Sequence, residues 1–306
     1  LSLIGITKIF PDDQTAEAWI AANRWPEGPI CPHCGSDRVQ SGAAHATMPY
    51  RWRECRKRFS IRAGAVMQKS KLGYQVWAIA TYLLTTGIKG TSSMKLHRDL
   101  GITQKSAWHL AHRIRATWAD WNQARFTGPV EADETYIGGL RKNMHRQRRE
   151  SLTGRSAAGK TPVAGVRDRA SGRVSAAVVP DTTGRTLRGF VQERTEPGTM
   201  VYTDETPAYL ALPYHQSVRH SVGEYVDGTV HANGLEPFWN LLKRGYQGDY
   251  RKMSEQHLNR YVAEFSGRFN DRDRDTLTQM DAIARGMLDR HLPYTDPTAQ
   301  GGYPHA

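Results

Sequence analysis

The sequence predicts a multidomain α+β protein: a small ribbon-like head, then a helical segment, then a larger mixed αβ body. Three observations predict this. All three cysteines of the 306 residues lie between positions 31 and 55. Apolar residues recur at helical spacing from about 70 to 120. Beyond 128, short alternating stretches bounded by turn residues read as strands, broken by a helix and followed by another. The expected divisions are 1–65 for the head, 66–122 for the helical segment, 123–290 for the body and 291–306 for a polar tail rich in Pro and Gly that frays.

In the head, Cys31 and Cys34 of "CPHCGS" have the two-residue gap that lets two thiolates meet one tetrahedral zinc. Trp52 and Cys55 of "YRWRECRKRF" repeat the gap with one ligand replaced. A full pair of such knuckles is a strong metal signal, and three of four ligands is a weaker one. His33 and His45 are the nearby substitutes, each needing a different loop geometry. The alternative is that the three thiols serve as small buried residues without metal. Arg51, Arg53, Arg56, Lys57 and Arg58 surround the second knuckle and suit phosphate contact if the ribbon folds.

In the helical segment, Val76, Ile79, Ala80, Leu83 and Leu84 form one stripe. Met94, Leu96 and Leu100 then suit a short helix, Gly101 a turn, Thr103 an N-cap, and Trp108, Ala111 and Ile114 the packed face of a second helix. That is the layout of a helix-turn-helix, which leaves Gln104, Lys105, His109 and Arg113 available to DNA.

In the body, "GPVEADETYIGG" reads as a strand with Val130, Ala132 and Glu134 toward one side and Glu131, Asp133 and Thr135 toward the other. "TPVAGVRDRASGRVSAAVVPD" reads as two antiparallel strands around a Ser-Gly turn, and "GRTLRGFVQERTEPG" as an amphipathic helix. "TMVYTDETPAY" is a short apolar strand ending at Asp204, and a helix begins within "HANGLEPFWNLLKRGYQG". The order matches a ribonuclease-H-like sheet. It brings carboxylates from separate elements, Asp133, Asp204 and Glu236, toward one point, as phosphoryl transfer with two divalent ions requires. Glu236, Asn240 and Lys243 share one helical face beside the apolar stripe of Leu235, Phe238, Trp239 and Leu242. Strand alternation argues against Glu134 and Glu205 as members of the set. Glu131, on the face of Asp133, remains a competitor.

Composition favours a polyanionic partner, with 42 Lys and Arg against 30 Asp and Glu for a net charge of +12. Residues 141–160 hold seven Lys or Arg and one acid, and read as a basic loop, either solvated or against a DNA backbone. No apolar run reaches the roughly 18 to 20 residues of a spanning helix, so no membrane partner is expected. Without a basic-then-apolar N-terminal segment, the expected location is cytoplasmic, on the nucleoid when bound to DNA.

"VEADETYIGG", "VYTDETPAY", "HANGLEPFWNLLKRGYQGDY" and "HLNRYVAEFSGRFNDR", preceded by "CRKRFSIRAGAVMQKSKLGYQVWAIATYLLTTGIKGTSS", resemble the bacterial insertion-sequence transposases that join a zinc-ribbon head to a DDE core, the ISXO2-like family. The similarity runs from about residue 12 to 270. It implies a ribonuclease-H-like catalytic domain, dependence on Mg²⁺ or Mn²⁺, and recognition of the inverted repeats that end the element. By motif position Asp133, Asp204 and Glu236 correspond to the metal-binding catalytic triad and Lys243 to a basic residue near DNA. Two element ends require at least two protomers, hence a homo-oligomer on double-stranded DNA. The alternatives are a non-catalytic repressor derived from such a protein and a metal-dependent nuclease that cleaves without joining. Trp52 stands where the family pattern has cysteine, which predicts weak or absent zinc at Cys31, Cys34 and Cys55.

Overall fold

The computed structural model describes residues 1–306 apart from 43, 44, 46, 54, 123, 124, 140–144, 152–157, 218–232, 289, 291 and 294–306. Most of the expected tail and much of the basic loop therefore lie outside the described residues. The chain forms two compact units, Leu1–Thr117 with Asp273–Gln300, and Trp118–Arg272.

The first unit opens with α1 (Leu3–Ile9) and α2 (Asp13–Arg24), the latter capped by Asp12, whose carboxylate accepts from Thr15 N. A three-stranded antiparallel sheet follows, β1 (Val39–Gln40), β2 (Tyr50–Trp52) and β3 (Arg58–Phe59). Helix α3 (Tyr74–Thr86) is buried on nearly every side, through Trp77, Ala78, Ala80, Thr81 and Leu84. The Thr81 and Thr85 hydroxyls donate back to carbonyls one turn earlier, so its polar groups are satisfied in the core. Ser92 caps α4 (Ser93–Leu100), Gly101 ends it at φ +63°, and Thr103 caps α5 (Gln104–Arg115). Only a left-handed residue closes a helix this tightly, and glycine adopts that conformation without steric cost.

The C-terminal helix Thr276–Gly286 differs from the expected division at 290, because it belongs to this first unit. Asp281 holds it there, accepting from Trp19 Nε1 at 2.7 Å and Asn23 Nδ2 at 3.0 Å, while Arg285 donates to Asn23. The same return of the chain turns one residue offered to DNA inward and touches a second. Arg113 is buried, donating to the carbonyls of Leu292 at 3.1 Å and Gln68 at 3.0 Å, and His109 Nε2 lies 3.3 Å from the Leu292 carbonyl. The helical spacing places both on one face, where residues 292 and 68 cover Arg113 while His109 stays half-buried.

The second unit is a five-stranded mixed sheet. Its strands are β4 (Val130–Ile137), β5 (Thr161–Asp168), β6 (Val174–Val178), β7 (Val201–Thr203) and β8 (His215–Ser217). The order is β6-β5-β4-β7-β8; the first three are antiparallel and β7 and β8 run parallel to β4. A short helix α6 (Arg146–Ser151) lies between β4 and β5, and α7 (Gly184–Arg194) links β6 to β7. Helices α8 (Glu236–Gly245) and α9 (Glu255–Asn270) follow β8. Leu187, Phe190 and Val191 of α7 pack with Val130, Ala132, Ala164 and Val166 on one face. Leu235, Phe238, Trp239 and Leu242 pack with Ile137, Val163, Val174 and residues of α9 on the other. Asn270 and Asn259 of α9 bond the backbone of β6 at Val174 and Val178, occupying the edge strand's free groups.

Candidate functional site

Period-two alternation along β4 sorts its acids. Glu134 points with Ala132 toward the α7 face, where Tyr209 donates its hydroxyl proton to Glu134 Oε2 at 2.8 Å. Glu131 and Asp133 point the other way, and their surroundings separate them. Glu131 is fully buried, its carboxylate 3.0 Å from Arg169 and 3.6 Å from Arg167, and it accepts from Gly234 N at 2.7 Å. Both carboxylate oxygens are engaged by the protein. A buried charge so paired is a structural clamp, here tying the approach to α8 onto β4. The competitor from the sequence is thus an anchor.

Asp133 is half-buried. Trp239 Nε1 donates to its Oδ2 at 2.8 Å, and Glu134 N donates to Oδ1 at 2.8 Å. Burial pushes its carboxyl up to about 6, and the charge of Asp204 pushes in the same direction. The two N–H donors and the Lys243 ammonium oppose the rise. Burial likewise raises Glu134, with Asp133 and Asp204 adding to it against the Tyr209 hydrogen bond. The Tyr209 phenol is raised by burial, then by the same acids.

Asp204 follows β7 directly. The parallel register pairs Val130 with Val201 and Glu131 with Tyr202, so continuing it by two residues aligns Asp133 with Asp204 on neighbouring strands. Asp204 Oδ1 accepts from Thr206 N at 3.0 Å, and its carbonyl accepts from Thr203 Oγ1. Glu236 is the first residue of α8 and is exposed, with Asn240 and Lys243 exposed along the same face. Asp133 thus feels the charges of both Asp204 and Lys243. The carboxylate oxygens of Asp133, Asp204 and Glu236 do not gather within 4.8 Å, the cysteines being the only such metal-ligand group among the described residues. The donor chemistry, hard carboxylate oxygens from within β4, from just past β7 and from the first residue of α8, suits Mg²⁺ or Mn²⁺.

In the first unit the Cys31, Cys34 and Cys55 sulfurs do gather. Cys31 and Cys34 Sγ lie 4.0 and 3.9 Å from Cys55 Sγ. Zinc–sulfur bonds of about 2.3 Å in a tetrahedron set sulfurs about 3.8 Å apart, so the spacing fits three corners of a zinc site. Both knuckles share a backbone trait: the residue after the second cysteine is left-handed, Gly35 at φ +74° and Arg56 at φ +55°. The second knuckle therefore keeps the turn of the first although Trp52 is buried at the fourth ligand's place. Neither His33 nor His45 joins the cluster; His45 Nδ1 instead accepts from Thr47 N and Met48 N. Arg56, Lys57, Gln104, Lys105 and Lys243 are all exposed.

Sequence reasoning missed Trp239, Gly165 and Tyr209. Trp239 reads as part of an apolar stripe, and Gly165 as a residue inside a strand. The pairing of Asp133 with Gly165 across β4 and β5 is the signal that could have found both.

Residues 125–270 match the model of the ISXO2-like transposase domain, and residues 11–58 match that of a transposase zinc-ribbon domain. A Halobacterium salinarum protein described as an uncharacterized protein in transposable element ISH50 is 29% identical over 273 residues, 84% of this chain and 91% of the relative. An uncharacterized transposase-like protein of Haemophilus influenzae is 27% identical over 121 residues, 38% of this chain and 97% of the relative.

Proposed function

We propose that this chain is an ISXO2-like transposase that binds the inverted repeats ending an insertion sequence and catalyses DNA cleavage and strand transfer, a reading supported by the match of residues 125–270 to that domain and of residues 11–58 to a transposase zinc ribbon. What carries the reading is the parallel register of β4 and β7, which continued by two residues sets Asp204, just past the end of β7, level with Asp133, whose carboxyl feels the charges of both Asp204 and Lys243. The sheet order, three antiparallel strands with two parallel ones beyond, supports reading the second unit as a ribonuclease-H-like domain. Asp133, Asp204 and Glu236 are the groups that would hold Mg²⁺ or Mn²⁺. Such ions would polarise the scissile phosphate and lower the pKa of an attacking water or hydroxyl.

The protein supplies positioning and charge. β4 and β7 fix two carboxylates side by side, the Glu131 clamp holds the start of α8 on the sheet, and Lys243 presents a cation to the phosphate backbone. Arg56 and Lys57 on the ribbon and Gln104 and Lys105 at the start of α5 are the proposed DNA contacts of the first unit. There the pair α4 and α5 acts as a helix-turn-helix. Zinc held by the three cysteines would stiffen the ribbon that carries Arg56 and Lys57. The protein acts in the cytoplasm, as a homo-oligomer bridging element ends and target DNA.

The test incubates the protein with duplexes carrying the inverted repeats that flank its gene, a target plasmid, and either Mg²⁺ or EDTA. Joined products that require Mg²⁺ are expected. Binding without cleavage would make it a repressor, and cleavage without joining a nuclease.

A further inference from the structure

The indole of Trp239 is packed into the core, yet its polar edge meets the site. Nε1 donates to Asp133 Oδ2 at 2.8 Å while the backbone N–H of Glu134 holds Oδ1. A carboxylate offers about four acceptor directions. Two protein donors, one on each oxygen, stop its rotation and leave the remaining lone pairs aimed in fixed directions.

The indole reaches Asp133 by lying across β5 at Gly165, the residue paired with Asp133. A Cβ at Gly165 would stand 2.7 Å from Trp239 Cη2, 2.8 Å from Cζ2 and 3.4 Å from a Leu235 methyl. Gly165 is not among the positive-φ residues, so its backbone would accept any side chain. Clearance for the indole is the remaining reason for glycine there.

We propose that Trp239 is a positioning residue for Asp133: its N–H orients the carboxylate toward a divalent ion, and Gly165 provides the clearance that admits it. The proposal rests on the reading of Asp133 as a metal-holding carboxylate.

Mn²⁺ titration of the full chain, with free ion read by electron paramagnetic resonance, tests it. Hydrogen-bond partners of metal ligands are generally worth about 10- to 100-fold in affinity. Trp239→Phe keeps an aromatic ring but lacks the donor, and is expected to weaken Mn²⁺ binding at least about tenfold while leaving metal-free DNA binding near the parent value, whatever the smaller ring costs in Tm. A purely packing role would move Tm and not the affinity. Gly165→Ala is expected to weaken the same site, and the double variant to be no weaker than Trp239→Phe alone, since both act through one bond. Parent-like Mn²⁺ affinity in either folded single variant overturns the proposal, and if Trp239→Phe fails to fold, Gly165→Ala decides alone. Asp133→Asn separates the two claims: if it retains parent-like Mn²⁺ binding, the reading of Asp133 itself fails, whatever Trp239 does.

Discussion

Asp133 is perturbed by its burial and by its charged neighbours. Its carboxyl, ordinarily at 3.8, is raised to about 6 by burial and by Asp204. The folded state therefore holds a proton that the unfolded chain has lost between about pH 4 and 6, and ionising Asp133 costs folding stability as pH rises through that window. Metal binding runs the other way, because an ion must displace the proton. Mn²⁺ affinity at this site is expected to be flat above about pH 6 and to fall by up to about tenfold per unit below it. Titration at stepped pH checks this, and affinity unchanged down to pH 4.5 would contradict it. At this scale the sequence was legible as far as period two reaches: it places Asp133 and Glu131 on one face and Glu134 on the other. It could not choose between Asp133 and Glu131, since the arginines and Gly234 N–H that spend Glu131 come from residues up to about 100 positions away. Removing that clamp with Glu131→Ala leaves two arginines facing a buried gap. It is expected to destabilise the second unit by about 3–5 kcal/mol, measurable by urea unfolding.

The second knuckle shows how an element can keep its shape after losing a ligand. Trp52 N donates to the Lys57 carbonyl at 3.1 Å, and Arg56 takes the left-handed turn that Gly35 takes in the first knuckle. A non-glycine residue there costs on the order of 1 kcal/mol. Arg56→Gly is expected to raise the thermal stability of the first unit by a few degrees while weakening DNA binding through the lost charge. The expectation of weak or absent zinc was drawn from ligand count alone; the sulfur spacing, invisible in sequence, supports zinc with three protein ligands. Trp52→Cys is expected to slow zinc loss to a chelator relative to the parent, and equal loss rates would place the fourth corner away from position 52. Among the longer elements, β4, β5 and β6 and the Thr103 cap of α5 were readable because alternation, Ser-Gly and Thr signals are local. β8 was not, being three polar residues at a sheet edge, and the inward turn of Arg113 depends on chain that returns after α9.

Across the whole molecule, the division at 290 was misplaced for a like reason: nothing in "DTLTQMDAIARG" tells which unit its apolar stripe will meet. A chain ended at Arg272 keeps the second unit complete and strips the first of a helix. Its first unit is expected to melt earlier than in the parent while the second is unchanged, as separate calorimetric transitions or proteolysis would show. The net charge of +12 predicts binding to the element ends that weakens steeply with salt, and each of Lys105 and Lys243 replaced by Ala should lower the log–log slope by about one. The central claim is that carboxylates on adjacent strands perform the chemistry while basic residues elsewhere hold the DNA. The most direct measurement is strand transfer by Asp204→Ala on cognate inverted-repeat ends with Mg²⁺, beside a binding assay on the same DNA. The account predicts lost joining with binding intact; joining at the parent rate would contradict it.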